Sequence, residues 1–215
     1  MLYKVLIKRI IDLMVSTLAL LLLSPIFLII AIALSITYRG NPFFIQPRPG
    51  RNTKIFKIIK FRTMNMKCND EGILLPDSER ITAIGRFIRR TSLDELPQLI
   101  NVLKGDMSLI GPRPLVVQYI PFYTDQENRR HSIRPGLTGL AQINGRNALT
   151  WESKFHFDNE YVDKMNFIMD ATIFFKTIKK VFKRENIGIR GIDAPEDFNK
   201  YRSKQNEFSK KEYNI

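Results

Sequence analysis

Two adjacent acidic residues, Asp94 and Glu95, lie in a stretch of chain that also carries cationic residues. A carboxylate can attack phosphorus as a nucleophile, and one or two carboxylates can bind Mg²⁺ together with phosphate oxygens. Cationic side chains nearby would neutralise the phosphoryl oxygens and the leaving group. The segment 91–114 is therefore a candidate site for phosphate chemistry.

The same segment also fits a purely structural interpretation. Ser92 followed three residues later by Glu95 matches a capping box, and acidic residues stabilise helix N-termini. Pro97 suits the first turn of such a helix, and Gly105 would end it. The apolar positions between them recur at helical spacing: Leu96, Leu99, Ile100 and Leu103. From spacing alone, the acid pair fits a helix start as well as a reactive site.

The elements that would position this segment begin with a hairpin. Residues 43–46 and 55–61 predict two short strands, because Pro and Gly punctuate the turn at 47–52. Lys60 lies on the second strand. Its positive charge fits either a solvated edge strand or a site for an anionic substrate.

Two later segments predict amphipathic helices. In residues 78–90 and again in residues 171–184, apolar side chains recur at helical intervals and basic side chains lie between them. This pattern is typical of a membrane-surface helix, and also of an ordinary helix that faces a core. Residues 65–77 predict a surface loop. The polar chain after residue 193 predicts weak or partner-dependent order.

The chain is strongly basic, with a net charge of +13 and an isoelectric point near 9.9. This charge implies an anionic partner, such as nucleic acid, anionic lipid or a diphosphate substrate. Nucleic acid is not an expected partner, because the sequence lacks the patterns of RNP, KH and zinc-finger modules. The single cysteine, Cys68, excludes an internal disulfide and fits a reducing compartment.

No charged residue occurs between residues 13 and 38, a stretch longer than the ~20 residues that cross a bilayer. The stretch also exceeds the ~7 to 15 apolar residues of a cleaved signal peptide. It therefore predicts a segment that lies in the lipid bilayer.

Ser24 and Pro25 lie near the middle of this segment, where proline removes a helical hydrogen bond and predicts a bend. A kinked spanning helix is one interpretation. Positive residues on both flanks, with Lys8 and Arg9 before and Arg39 after, favour a re-entrant hairpin, because both flanks then stay on the cytoplasmic side.

Five sequence blocks occur together: KRIIDL at 8–13, FIQPRPGRNTKIFKIIKFRTM at 44–64, the acidic segment, GPRP at 111–114 and RPGLTGLAQINGRN at 134–147. With this combination, the chain resembles the bacterial sugar transferase family, the monotopic phosphoglycosyl transferases, from residue 8 to about 188. Its size is similar to that of the minimal single-domain members of the PglC type.

The resemblance implies an α+β, mostly helical fold. It implies a re-entrant helix-break-helix anchor at 1–38, a cytoplasmic interfacial catalytic domain at 39–190 and a polar tail at 191–215. Lys8 and Arg9 would lie near lipid headgroups, and the break would fall at Ser24 and Pro25. The protein would then be monotopic, on the cytoplasmic face of the bacterial inner membrane.

The resemblance also implies an activity, the first membrane step of glycoconjugate biosynthesis. Asp94 would attack the β-phosphorus of a UDP-sugar and expel UMP, and a membrane polyprenyl phosphate would then take the phosphosugar. Glu95 would assist the second step and, with Asp94, organise Mg²⁺. The cationic positions that would bind substrate phosphates are Lys60, Arg89, Arg113, Arg134 and Arg146.

Some alternatives stay open at this point. Arg134 and Arg146 fit structural ion pairs as well as substrate contacts. A direct nucleotide-sugar glycosyltransferase and a non-catalytic membrane-surface adaptor are the alternative functions. The chain contains no Asp-x-Asp pair, which weighs against a metal-dependent glycosyltransferase. Nothing in the sequence assigns the sugar or an oligomeric state.

Overall fold

The structure, a computed structural model, describes residues 2–145, 148–183 and 196–212. This part of the chain is mostly helical and contains two separate two-stranded sheets, which confirms the predicted α+β class. The helices are α1 (Lys8–Tyr38), α2 (Asp77–Arg80), α3 (Ala83–Arg90), α4 (Gln98–Lys104), α5 (Asp125–Asn128), α6 (Leu140–Asn144), α7 (Trp151–Lys164), α8 (Phe167–Lys183) and α9 (Phe198–Glu212). The strands are β1 (Phe43–Pro49), β2 (Ile55–Phe61), β3 (Ser108–Ile110) and β4 (Gly136–Thr138).

Helix α1 continues from a π-helical turn at Tyr3–Ile7, and by length and composition this helix could cross a membrane. One of its faces packs on the hydrophobic core along the whole helix, through Val15, Ala19, Leu23, Phe27, Ile30 and Leu34. These positions are three or four residues apart and so lie on one face. The other face exposes apolar side chains, such as Leu22 and Ile29.

Helix α1 continues through Pro25 as one α-helix, and the bend that the sequence predicts at this proline stays a prediction. A proline at position 25 leaves the carbonyl of Leu21 without its usual helical donor. The hydroxyl of Ser24 donates a hydrogen bond of 2.8 Å to that carbonyl. The serine therefore satisfies the group that the proline leaves unpaired, and the helix continues.

The predicted hairpin is confirmed, with β1 and β2 antiparallel and Phe43 opposite Phe61. Strand β1 continues to Pro49, beyond the predicted end at residue 46. Its prolines, Pro47 and Pro49, are tolerated because the sheet has only two strands and β1 is an edge. Phe27 of α1 contacts both Phe43 and Phe61, so the hairpin lies against the apolar helix.

The second sheet brings together two of the sequence blocks. Strands β3 and β4 are parallel, and the chain after β3 enters the GPRP loop. The Gly111 N–H donates to Thr138 O at 2.9 Å, and the Gly136 N–H donates to Pro112 O at 2.9 Å. A Cβ on Gly136 would lie 2.1 Å from the Gly111 nitrogen, so this contact requires glycine.

The helix predicted at 78–90 is two helices, α2 and α3. Ile81 has extended backbone angles and bridges Met64, which ends α2. The Thr82 hydroxyl then accepts the Gly85 N–H and starts α3. Helix α3 buries Ile88 in the core and leaves Phe87 exposed.

The helix predicted at 171–184 begins earlier, as α8. The side chain of Asn166 accepts the Met169 N–H at 2.9 Å and caps the helix before Phe167. Ile173 of α8 is buried, whereas Phe175 and Ile178 are exposed. This helix therefore has a core face and an exposed apolar strip.

The prediction of weak order in the polar tail is wrong for residues 198–212. Helix α9 inserts Phe198, which is 0% exposed, into an aromatic cluster with Tyr119, Trp151 and Phe155. The Trp151 indole also donates to Glu196 O at 2.9 Å. The buried ring, together with a hydrogen bond from Tyr201 to Glu152 and an ion pair between Arg202 and Glu127, attaches this otherwise polar segment.

Candidate active site

Asp94 and Glu95 lie in a short 3-10 turn, Leu93–Glu95, between α3 and α4. The residue before it, Ser92, is left-handed (φ 56°, ψ 15°), and its side chain makes no capping hydrogen bond. An N-cap residue takes extended angles, and α4 begins only at Gln98, after Pro97. The capping-box interpretation is therefore wrong, and the Glu95 carboxylate has other partners.

Glu95 is held between two cations. Lys60 Nζ donates to Oε1 at 2.7 Å, while Arg113 donates through Nη2 to Oε1 at 2.5 Å and through Nη1 to Oε2 at 3.4 Å. Burial alone would raise the pKa of Glu95, but the charges and hydrogen bonds of Arg113 and Lys60 outweigh it and hold this pKa below its ordinary value. Glu95 is therefore ionised at neutral pH.

The carboxylate of Asp94 has a different environment. Among the described residues it accepts no hydrogen bond and forms no ion pair within 4 Å. Burial and the adjacent charge of Glu95 raise the pKa of Asp94 to about 6, against the opposing charges of Lys60, Arg89 and Arg113. Within the described part of the chain, Asp94 is therefore a partly buried carboxylate beside three cations, with no hydrogen-bond donor on its oxygens.

Three of the five predicted cationic residues meet at this acid pair, each from a different element. Lys60 comes from β2, Arg89 from α3 and Arg113 from the GPRP loop. Arg89 is oriented by hydrogen bonds from Nε to Thr63 Oγ1 (2.8 Å) and from Nη2 to Met64 Sδ (3.5 Å). The Arg113 side chain is 44% exposed, so it remains accessible from outside.

Arg134 has another position. Its Nε donates to Gly105 O at 2.9 Å, at the C-terminus of α4. Arg9 donates to the preceding carbonyls, Val102 O at 2.7 Å and Leu103 O at 3.0 Å. Both arginines thus complement the last carbonyls of a helix, where cations are favourable. Arg146 lies outside the described residues.

Lys8 contacts protein at the N-terminal end of α1. Its Nζ forms an ion pair of 2.7 Å with Asp170 on α8, and both side chains are 10% exposed. Asp170 also accepts hydrogen bonds from Tyr3 and Tyr161. Together with Arg9 at α4, Lys8 attaches the start of the apolar helix to the rest of the protein.

Arg130 and Asp158 were missed by the sequence analysis. Arg130 donates to the backbone carbonyl of Arg113 at 2.6 Å and forms a buried ion pair with Asp158. The two residues are far apart in the chain, and neither belongs to a recognisable spacing. No local pattern would have found them.

The acid pair fits a magnesium ion that is shared with a substrate. Among the described residues, no group of three or more His, Cys, Asp or Glu side chains could hold a metal. Mg²⁺ bound with substrate phosphates needs only one or two carboxylates. Among residues 2–145, 148–183 and 196–212, no donor contacts the Asp94 oxygens, and Glu95 Oε2 accepts one long bond, from Arg113 at 3.4 Å.

Comparison with known proteins places the chain among sugar transferases, since residues 3–184 match the bacterial sugar transferase family. The uncharacterized sugar transferase EpsL of Bacillus subtilis is 49% identical over 181 residues, which cover 84% of this chain and 89% of EpsL.

Two longer relatives have named activities. The undecaprenyl-phosphate galactose phosphotransferase of Salmonella typhimurium is 41% identical, over 83% of this chain and 41% of that protein. The UDP-glucose:undecaprenyl-phosphate glucose-1-phosphate transferase of Escherichia coli K12 is also 41% identical, over 82% of this chain and 40% of that protein. The chain thus spans less than half the length of these two enzymes. From the family match and these identities, the chain belongs to the bacterial sugar transferase family.

Proposed function

We propose that this sugar transferase moves a phosphosugar from a UDP-sugar to a membrane polyprenyl phosphate, such as undecaprenyl phosphate, and releases UMP. The observation that carries the proposal is the contrast within the acid pair. Glu95 is paired with Lys60 and Arg113, whereas Asp94, beside the same cations, has no hydrogen-bond or ion-pair partner among the described residues. The names of the Salmonella and Escherichia relatives support the same reaction class.

In the proposed first step, an Asp94 carboxylate oxygen bonds to the β-phosphorus of the UDP-sugar. The bond from this phosphorus to the oxygen that bridges the two phosphates breaks, and UMP leaves with that oxygen. A raised pKa makes the carboxylate more basic, and a pKa of about 6 still leaves it mostly ionised at neutral pH. Lys60, Arg89 and Arg113 would neutralise the phosphate oxygens.

In the proposed second step, a phosphate oxygen of the polyprenyl phosphate attacks the same phosphorus. The bond to Asp94 breaks, the carboxylate is restored, and the product is a sugar joined to the lipid through a diphosphate. Glu95, which stays ionised, would keep Lys60 and Arg113 in place during both steps. Asp94 and Glu95 would hold Mg²⁺, and the ion, when bound, would supply charge neutralisation at the phosphate oxygens.

We further propose that the protein is monotopic, with a re-entrant α1, on the cytoplasmic face of the bacterial inner membrane. Support comes from the contacts at both ends of α1: Arg9 binds α4 near one end, and Leu34 packs in the same core near the other. One face of α1 stays on this core from Val15 to Leu34, which a helix that crosses the bilayer away from a cytoplasmic domain could not do. Reporters fused before Met1 and after Ile215 should both label as cytoplasmic, and opposite labelling would refute this topology.

The reaction is tested with the full chain in lipid nanodiscs, Mg²⁺, undecaprenyl phosphate and a panel of UDP-sugars that includes UDP-glucose and UDP-galactose. We expect UMP release with at least one sugar and a phosphosugar adduct on the peptide that contains Asp94. Asp94→Asn should abolish both, whereas Asp125→Asn, an exposed carboxylate on α5, should change neither.

Each other outcome contradicts the proposal in a recognisable way. Release of UDP would indicate direct glycosyl transfer. Release of neither nucleotide, with every sugar in the panel, would favour an adaptor. UMP release by Asp94→Asn at the wild-type rate would remove Asp94 from the mechanism.

A further inference from the structure

A buried ion pair lies directly behind the GPRP loop. Arg130, in the 3-10 turn Arg129–Ser132, contacts Asp158 of α7 with Nη2 at 2.8 Å from Oδ2. The two side chains are only 3% and 4% exposed. Burying two charges is unfavourable unless further hydrogen bonds compensate, and breaking such a pair leaves an uncompensated charge. A net gain in folding stability therefore does not explain this pair, and its other contacts indicate another role.

The same Arg130 nitrogen reaches the active-site loop. Nη2 donates to the backbone carbonyl of Arg113 at 2.6 Å, and the Arg113 side chain donates to Glu95. The neighbours of Arg113 are Pro112 and Pro114, which are buried and have no N–H to donate. The loop therefore depends on outside partners, and Arg130 supplies one of them.

Aromatic rings hold the Arg130 side chain in the orientation that points its guanidinium at the backbone carbonyl of Arg113. Its guanidinium lies 5.9 Å from the Tyr123 ring centroid and 5.6 Å from that of Phe155, and Nη1 donates to the Tyr123 hydroxyl at 3.3 Å. Tyr123 stacks on Phe198 of α9 at 5.4 Å. A continuous set of contacts thus joins α9, Arg130 and Arg113.

We propose that the Arg130–Asp158 pair positions Arg113, holding its backbone so that its guanidinium meets Glu95 before substrate arrives. This inference rests on the proposed function, in which Arg113 neutralises phosphate charge. Arg130 touches no reacting atom and is therefore a positioning residue. A cation held in place in advance needs no reorganisation during the reaction, so the pair would contribute mainly to kcat.

The main test replaces the pair with apolar residues of similar volume, Arg130→Met with Asp158→Leu, because such replacements often preserve folding. We expect kcat for UMP release to fall about tenfold or more, with KM for the UDP-sugar within about threefold. Arg130→Lys keeps the charge but not the planar fork, and should lose a smaller part of kcat. Arg129→Gln is the matched control, since Arg129 pairs with Asp163 at the surface.

A double-mutant cycle separates positioning from general damage. In an Arg113→Ala background, the Arg130→Met/Asp158→Leu replacement should have almost no further effect on kcat, because the side chain that it positions is gone. The same fold-loss in both backgrounds would overturn the proposal. So would wild-type kcat in the doubly substituted protein.

Hydrogen exchange tests the positioning without any turnover. The Gly111 and Gly136 amides, which donate to Thr138 O and to Pro112 O at the GPRP loop, should exchange faster in the Arg130→Met/Asp158→Leu protein than in wild type, and should be unchanged in Arg129→Gln. Unchanged exchange at both amides would refute the positioning role. If wild type released no UMP while exchange still accelerated, the proposed function would fail and the structural link would stand.

Discussion

Asp94 and Glu95 are consecutive residues whose carboxyl groups have pKa values displaced in opposite directions. Arg113 and Lys60 hold the pKa of Glu95 below its ordinary value, whereas burial and the charge of Glu95 raise that of Asp94 to about 6. Groups with separated pKa values in one site divide the chemical roles between them. In the proposed mechanism, Glu95 stays ionised and paired with its cations, whereas Asp94 is the group that forms and breaks a bond to phosphorus.

The first prediction concerns pH. Protonated Asp94 cannot attack phosphorus, so kcat/KM for the UDP-sugar should fall about tenfold for each pH unit below about 6. Glu95→Gln removes the negative charge beside Asp94 and so lowers the pKa of Asp94. In the remaining activity of this variant, the fall of kcat/KM at acidic pH should therefore begin at a lower pH than in wild type. Two results would contradict the role of Asp94 as the titrating nucleophile. One is a fall of wild-type kcat/KM only near the ordinary aspartate pKa, and the other is the same pH dependence in Glu95→Gln as in wild type.

The second prediction is that Asp94→Asn stabilises the fold while it removes activity. Because the pKa of Asp94 is higher in the folded than in the unfolded protein, the folded state binds more protons between pH ~4 and ~6. Folding stability from this group therefore falls as pH rises through that window, and the full cost remains at neutral pH. Removing the charge should raise the free energy of unfolding by up to about 3 kcal/mol.

Thermal unfolding at neutral pH measures this effect, with Asp125→Asn as the exposed control. A lower melting temperature for Asp94→Asn than for wild type would show that the carboxylate stabilises the site instead. Repeating the melts below pH 4, where Asp94 is protonated, should remove most of the difference.

The third prediction concerns the Ser24 and Pro25 pair in α1. Ser24→Ala should destabilise the protein in nanodiscs by about 1 to 3 kcal/mol, because the Leu21 carbonyl loses its only side-chain donor in an apolar setting. Pro25→Ala restores a backbone N–H for that carbonyl. In a Pro25→Ala background, Ser24→Ala should therefore have little effect on the melting temperature, and additive losses would disprove the compensation.

The fourth prediction concerns the C-terminal helix. Phe198→Ala should destabilise the protein by about 3 to 5 kcal/mol, because it empties the centre of the aromatic cluster. Lys200→Ala, at an exposed position on the same helix, is the control. Equal melting temperatures for the two variants would mean that α9 contributes nothing to the fold.

Local patterns were sufficient for part of this protein. Two short strand-forming segments on either side of a turn with Pro and Gly predicted the hairpin. The adjacent acid pair can be read directly from the sequence. The long apolar helix follows from the absence of charge in residues 13–38. These features depend on neighbours in the chain, so sequence reasoning could reach them.

Features that depend on distant residues were not accessible in the same way. The capping pattern at Ser92 was misleading because the actual partners of Glu95, Lys60 and Arg113, are distant in the chain. The Arg130–Asp158 pair joins a turn and a helix that share no motif. Phe198 is one ring in a polar segment, and its burial depends on a cluster assembled elsewhere.

The packing of α1 has a practical consequence for work with this protein. A fragment that begins at Arg39 would uncover Phe43 and Phe61, which Phe27 contacts, and would leave Asp170 without Lys8. Such a truncation would remove part of the interior and not merely an attachment to lipid. We therefore expect the smallest unit that can be purified in folded form to include the apolar helix, and we expect its exposed apolar face to require detergent or lipid during extraction.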